Sequence, residues 1–166
     1  MTIGGLVLLG VFMLSANGLL SANSVNTEQT EYVLTALSLA ESIVDEAKTK
    51  SFDERTTAAL ISIADSLTTM PGREGGESVA NPDTMSALGS YASVSRFDDV
   101  DDYNGYVRLV NTARGTGYNL NVTVKYVSET NPDSDSYTPT FCKRMTVSVT
   151  SPFFETPITI NYAFTY

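Results

Sequence analysis

Residues 27–50, TEQTEYVLTALSLAESIVDEAKTK, decide the fold because their apolar side chains recur every three or four positions. The recurring positions are Val33, Ala36, Leu37, Ala40, either Ile43 or Val44, and Ala47. This spacing predicts an amphipathic α-helix with one apolar stripe along its length. Such a stripe needs an apolar partner, so the rest of the chain has to supply a surface that covers it.

The residues before this helix are almost entirely apolar. Residues 3–20 contain only Ser15 and Asn17 as polar side chains, and the first charged residue is Glu28. Eighteen helical residues span about 27 Å, close to the thickness of a bilayer core. A secretory signal and a simple membrane anchor are both expected to have basic flanking residues, and this segment has none. We therefore expect that a basic leader preceding Met1 has been removed and that the apolar segment is retained.

Helix signals continue from the apolar segment into residues 27–50. Together they predict one helix of about 75 Å, apolar in its first half and amphipathic in its second. Asn17, Gly18 and Asn23 disfavour helix, because Gly is too flexible and Asn competes for backbone hydrogen bonds. A local unwinding is therefore expected at these three residues.

The C-terminal part of the chain changes to a period of two. Apolar and polar residues alternate in 117–127 (GYNLNVTVKYV) and in 157–166 (PITINYAFTY), while 106–113 and 143–151 resemble them. Short Gly- and Pro-containing joins separate the four segments, which is typical of an antiparallel meander. The predicted fold class is α+β, with the long helix packed against a four-stranded antiparallel sheet. The predicted divisions are 1–27 as apolar helix, 28–50 as amphipathic helix, 51–105 as αβ connection and 106–166 as sheet.

Composition argues against several functional classes. The chain of 166 residues has no His, one Cys and a net charge of −9. Without His it lacks the commonest general base, and without a basic run it lacks a surface for phosphate backbones. We expect neither an enzyme nor a nucleic-acid-binding protein. Residues 71–78, PGREGGES, lack the Lys-Ser/Thr pair of a phosphate-binding loop and are interpreted as a flexible loop.

Residues 98–104, DDVDDYN, concentrate oxygen donors in one short segment. The donors are Asp98, Asp99, Asp101, Asp102 and Asn104. One interpretation is a solvated turn in which Asp side chains accept hydrogen bonds from backbone amides. The other is a site for a hard cation such as calcium, although the spacing is not that of an EF-hand. The capped turn is the preferred interpretation at this point.

Three features resemble the type IV pilin and pseudopilin superfamily. Met1 followed by Thr2 looks like the mature start of these proteins, and residues 38–54 and 96–106 (RFDDVDDYNGY) resemble minor pilins of the mannose-sensitive haemagglutinin class. The chain departs from the family in having Gly4 and Gly5 where a glutamate is usual. It also lacks the family's proline near position 22 and its C-terminal disulfide.

The resemblance implies a structural subunit of an extracellular filament, a helical homo-oligomer with its apolar helices in the core. It also implies processing by a prepilin peptidase, methylation of the first residue, insertion in the inner membrane before assembly, and contact with a pilus assembly machinery. Small residues let helices approach closely, so Gly4, Gly5 and Gly10 favour such a core. The expected assembly residues are Met1, Thr2, Gly4, Gly5, Leu6, Val7, Leu9, Gly10, Val11 and Leu14. The alternative is a monomeric, membrane-anchored surface binding module that depends on calcium.

Overall fold

The computed structural model describes residues 12–15 and 27–166 and has an α+β fold. The helices are α1 Thr2–Ala47, α2 Glu54–Ala58 and α3 Ala92–Arg96, with short 3₁₀ helices at Ala64–Ser66 and Asp101–Tyr103. The strands are β1 Asp83–Thr84, β2 Val107–Val110, β3 Tyr118–Tyr126, β4 Cys142–Ser151 and β5 Phe154–Thr165.

The sheet has five strands in the order β1-β2-β3-β4-β5 and is mixed. β1 runs parallel to β2, with Asp83 opposite Arg108, and the other neighbours are antiparallel. The predicted fold class, a long helix with an apolar first half and an amphipathic second half packed against a four-stranded antiparallel meander, is therefore wrong. Two residues are too few to show an alternating pattern, so β1 could not be recognised within the predicted 51–105 connection.

The core lies between the C-terminal half of α1 and one face of the sheet. Ala36, Ala40, Ile43, Val44 and Ala47 are buried, as the predicted stripe requires, whereas its first residue, Val33, is exposed and Leu37 is only partly buried. They join a cluster with alternate residues of two strands, namely Leu120, Val122 and Val124 of β3 and Met145, Val147 and Val149 of β4. The alternation predicted for β3 is confirmed, because its buried residues are every second one from Tyr118 to Tyr126. Alanines on α1 allow the helix axis to approach the strands closely.

Several predictions concern residues that lie outside those described. They are the assembly residues Met1, Thr2, Gly4, Gly5, Leu6, Val7, Leu9, Gly10 and Val11, and the unwinding residues Asn17, Gly18 and Asn23. Leu14 is described, and 79% of it is exposed. Within the described part of the chain, no helix combines the length and the apolar character needed to cross a bilayer.

Candidate metal centre

The segment Asp98–Gly105 forms a tight turn just before β2, and two of its carboxylates hold its backbone. Oδ1 of Asp99 accepts hydrogen bonds from the amides of Asp101 (2.6 Å) and Asp102 (3.1 Å). Oδ2 of Asp102 accepts from the amides of Asp98 (2.9 Å) and Asp99 (3.3 Å). The predicted capping is therefore present. The turn is not solvated as predicted, because Asp99, Asp101 and Asp102 are all 0% exposed.

Asp99 and Asp102 each keep one carboxylate oxygen that the turn does not use. Oδ2 of Asp99 and Oδ1 of Asp102 are buried and have no hydrogen-bond partner among the described residues. A buried carboxylate oxygen without a partner is strongly destabilising, because it loses its hydration and gains nothing in return. These two atoms therefore mark a place where a ligand or a proton is needed.

Four further carboxylates surround these two. Three overlapping groups have one carboxylate oxygen per residue within 4.8 Å of one another: Glu54 with Asp98 and Asp99, Glu54 with Glu74 and Glu77, and Glu77 with Asp98 and Asp102. We call these six residues the acidic cluster: Glu54, Glu74, Glu77, Asp98, Asp99 and Asp102. Asp98 is exposed, so one side of the cluster is open to solvent.

Local structure explains how Glu54 reaches the cluster. It is the first residue of α2, whose N-cap is Asp53, and Oδ1 of Asp53 accepts the amide hydrogen of Arg55 at 3.0 Å. The preceding segment is joined to the turn, because the amide of Ser51 donates to the carbonyl of Asp98 and the amide of Val100 donates to the carbonyl of Ser51. The N-terminus of α2 is thus held beside Asp98 and Asp99.

The loop that carries Glu74 and Glu77 is attached to the same turn. Nδ2 of Asn104 donates to the carbonyl of Pro71 at 2.9 Å, and the guanidinium of Arg73 donates to the carbonyl of Gly105 at 3.2 Å. Within the loop, the amide of Glu74 donates to Oε2 of Glu77 at 2.7 Å. Residues 71–78 form an irregular loop that these hydrogen bonds attach to the turn.

Crowding and burial shift the acid–base behaviour of the cluster. Burial is the main cause that raises the pKa of Asp99 to about 8, with Asp101 adding to it and Lys143 opposing it. Burial, and then the carboxyls of Glu77 and Asp99, raise the pKa of Asp102 to about 8. Burial and Glu77 raise the pKa of Glu74 to about 7. Without a cation, these side chains therefore hold protons near neutral pH.

Asp101 and Asn104, two of the five predicted ligands, face elsewhere. Oδ1 of Asp101 lies 2.6 Å from Nζ of the fully buried Lys143. Asn104 uses both ends of its amide, because its Oδ1 also accepts from the amide of Val124 at 3.1 Å. Asp98, Asp99 and Asp102 are the predicted ligands that the structure brings together.

No sequence pattern predicted that Glu54, Glu74 and Glu77 belong to the cluster. They lie at least 21 positions before Asp98 along the chain, Glu54 is 20 positions from Glu74, and the three show no periodic pattern. The one available signal was the pair of glutamates in the Gly-rich segment 71–78, which a solvated loop also explains. Their relation to the turn arises from tertiary contacts alone.

The acidic cluster offers only hard oxygen donors, which suit hard cations and not soft metals. Compared with protein-family models, curated proteins and solved structures, the chain matches none.

Proposed function

We propose that this chain is a structural subunit of an extracellular filament of the type IV pilus kind, which assembles helically through the N-terminal part of α1. The observation that carries this proposal is the exposure of three successive apolar residues, Phe12 (72%), Met13 (60%) and Leu14 (79%). Successive residues of an α-helix point about 100° apart. Apolar surface therefore faces several directions at this level of α1, as expected where a helix is surrounded by partners.

The burial pattern along α1 supports the same proposal. Among the described residues of α1, burial begins only at Ala36, and residues 12–15 and 27–31 are exposed. The sheet therefore supplies a cover for the C-terminal part of the helix, and another molecule has to cover the apolar residues near Leu14.

Copies of the same chain are the partner that we propose. Burial of about 1,000 Å² of apolar surface stabilises an assembly by roughly 25 kcal/mol before entropic costs. Gly4, Gly5 and Gly10 in the sequence would let neighbouring helices approach closely. Before assembly the apolar segment would reside in the inner membrane, where a prepilin peptidase and the assembly machinery would act on it. The role is structural and requires no catalytic residue.

The test is a charged substitution in the exposed apolar segment. Leu14→Asp should abolish filaments in electron micrographs of sheared cell-surface material, because a carboxylate buried among apolar helices costs several kcal/mol unless it is paired. Leu88→Asp is the matched control, since Leu88 is 94% exposed and lies outside α1. It should leave filaments intact. Normal filaments from the Leu14→Asp chain would overturn the proposal.

The acidic cluster favours a second candidate, a monomeric, membrane-anchored surface module that binds its target with calcium. This candidate predicts chains that stay dispersed in the membrane at all expression levels. It also predicts that Leu14→Asp weakens membrane retention while no filaments are seen for the unmodified chain. The same micrographs therefore separate the two candidates.

A further inference from the structure

We propose that the acidic cluster is a calcium site, in which the free oxygens of Asp99 and Asp102 coordinate the ion together with carboxylates of Glu54, Glu74, Glu77 and Asp98. The site ties three segments of the chain together: the start of α2, the 71–78 loop and the turn before β2. This inference goes beyond the filament proposal and does not depend on it.

The two buried aspartates provide the evidence that the cluster is more than a collection of surface acids. Asp99 and Asp102 are both 0% exposed, and each has one oxygen engaged by two backbone amides. Those amides fix the orientation of each carboxylate. The remaining oxygens, Oδ2 of Asp99 and Oδ1 of Asp102, are unpartnered, and each of these two aspartates has a carboxylate oxygen within 4.8 Å of those of Asp98 and one glutamate.

Charge balance points to a cation. None of the six cluster carboxylates forms an ion pair with a described residue. Lys143 is the nearby cation that favours the ionised form of Asp99, and its ammonium is already bound by Asp53 and Asp101. Glu54 lies against Asp98, and Glu77 lies against both Glu74 and Asp102, so like charges repel each other throughout the cluster. A divalent ion would convert this repulsion into attraction.

The donor set selects calcium among the common metals. Calcium takes six to eight oxygen ligands in flexible geometry, whereas magnesium demands a nearly ideal octahedron and retains several waters. Carboxylates from three irregular segments, with an open side at Asp98 for water, suit the larger ion. Zinc prefers nitrogen and sulfur ligands. The chain has no His, and its single thiol, Cys142, lies in β4 and in none of the acidic groups.

The direct experiment is calorimetric titration of the full chain in mild detergent, after removal of metal with a chelator, with calcium chloride. We expect saturable binding with a dissociation constant at or below about 1 mM, the range of extracellular calcium modules. At a calcium concentration about 100-fold above this constant, the midpoint of thermal unfolding should rise by roughly 5–10 °C. No binding and no shift at 10 mM calcium would overturn the proposal, and so would tighter binding of magnesium.

Asp99→Asn is the most informative variant. The asparagine Oδ1 can still accept from the amides of Asp101 and Asp102, while Nδ2 replaces the free oxygen with a donor that repels a cation. The variant should therefore fold, and remain at least as stable as the unmodified chain without calcium, but bind calcium at least tenfold more weakly. Asp133→Asn is the matched control, because Asp133 is exposed in the β3–β4 loop and outside the cluster. It should bind calcium normally.

A second variant covers the case in which Asp99→Asn fails to fold. Glu77→Gln alters the anchored loop and not the buried turn, and its amide oxygen can still accept from the amide of Glu74. It should also weaken calcium binding at least tenfold. An unchanged affinity of this variant for calcium would mean that the 71–78 loop does not contribute to the site, and would overturn the three-segment arrangement.

Discussion

Nζ of Lys143 lies 2.8 Å from Oδ2 of Asp53, and both side chains are completely buried. The same ammonium donates to the carbonyl of Phe52 at 2.8 Å and approaches Oδ1 of Asp101 at 2.6 Å. The hydroxyl of Tyr126 also donates to Oδ2 of Asp53 at 2.8 Å. Burial alone would raise the pKa of Asp53, but Lys143 and Tyr126 lower it to about 2. Lys143 of β4 therefore joins the start of α2, through Asp53, and the 98–105 turn, through Asp101.

Replacing Lys143 with Met should destabilise the fold by about 3–5 kcal/mol, because Asp53 and Asp101 would be left buried without a cation. Chemical denaturation monitored by circular dichroism measures this change. Lys125→Met is the control, since Lys125 forms an exposed ion pair with Asp135 and should contribute about 1 kcal/mol or less. Equal effects of the two substitutions would contradict the assignment of Lys143 as the central buried cation.

The metal-free chain should lose stability as the pH rises from about 5 to about 8. The folded-state pKa values of Asp99, Asp102 and Glu74 lie above the ordinary value near 4, so the folded state binds more protons than the unfolded state in this window. Asp53 has a lowered pKa of about 2 and acts only in more acid solution. Urea unfolding in chelator at several pH values measures the slope, which saturating calcium should reduce. A free energy of unfolding that increases with pH would refute this expectation.

Cys142 should be a buried structural residue without a role in assembly. It is 2% exposed, and burial raises the pKa of its thiol. Native chains should therefore react with a thiol reagent far more slowly than chains in denaturant. Cys142→Ala should lower the free energy of unfolding by about 1–2 kcal/mol and leave filaments intact. Disassembly of filaments by a reductant would show that an intersubunit disulfide exists.

Removal of residues 1–25 should separate assembly from folding. The buried residues of α1 that contact the sheet begin at Ala36, so the truncated chain keeps the described core. We expect a folded monomer by circular dichroism and size-exclusion chromatography. A truncated chain that still forms filaments of normal diameter would mean that contacts between the sheet-bearing parts drive assembly.

Periodicity in the sequence predicted those elements that are long enough to repeat. The nine residues of β3 alternate between a buried and an outer face, and the stripe on α1 faces the sheet. β1 has two residues, and it is a strand only because tertiary packing places it beside β2. No local pattern could therefore indicate a fifth strand. Local signals determine regular elements, whereas the partner of a very short strand is set by tertiary packing.

The candidate site was predictable only where its residues are adjacent in sequence. Asp98, Asp99, Asp101 and Asp102 look equivalent in the one-letter code. The 3₁₀ turn at Asp101–Tyr103 breaks this equivalence, since Asp101 reaches Lys143 while Asp99 and Asp102 contribute to the acidic cluster. The contribution of Glu74 and Glu77 depends on two hydrogen bonds between the loop and the turn, from Asn104 to the carbonyl of Pro71 and from Arg73 to the carbonyl of Gly105, which no spacing rule encodes.

In the proposed filament, α1 would both join the subunits and pack in the core of each one, and this has a mechanical consequence. In a filament built through residues near Leu14, a pulling force on one subunit would travel along the same helix that carries Ala36, Ala40 and Ile43 into the core. Close-packed interiors transmit strain instead of absorbing it. The load would reach the sheet as shear distributed over the contacts of α1 with β3, β4 and β5. The tensile strength of such a filament would then be limited by the strength of the packing between α1 and the sheet within each subunit.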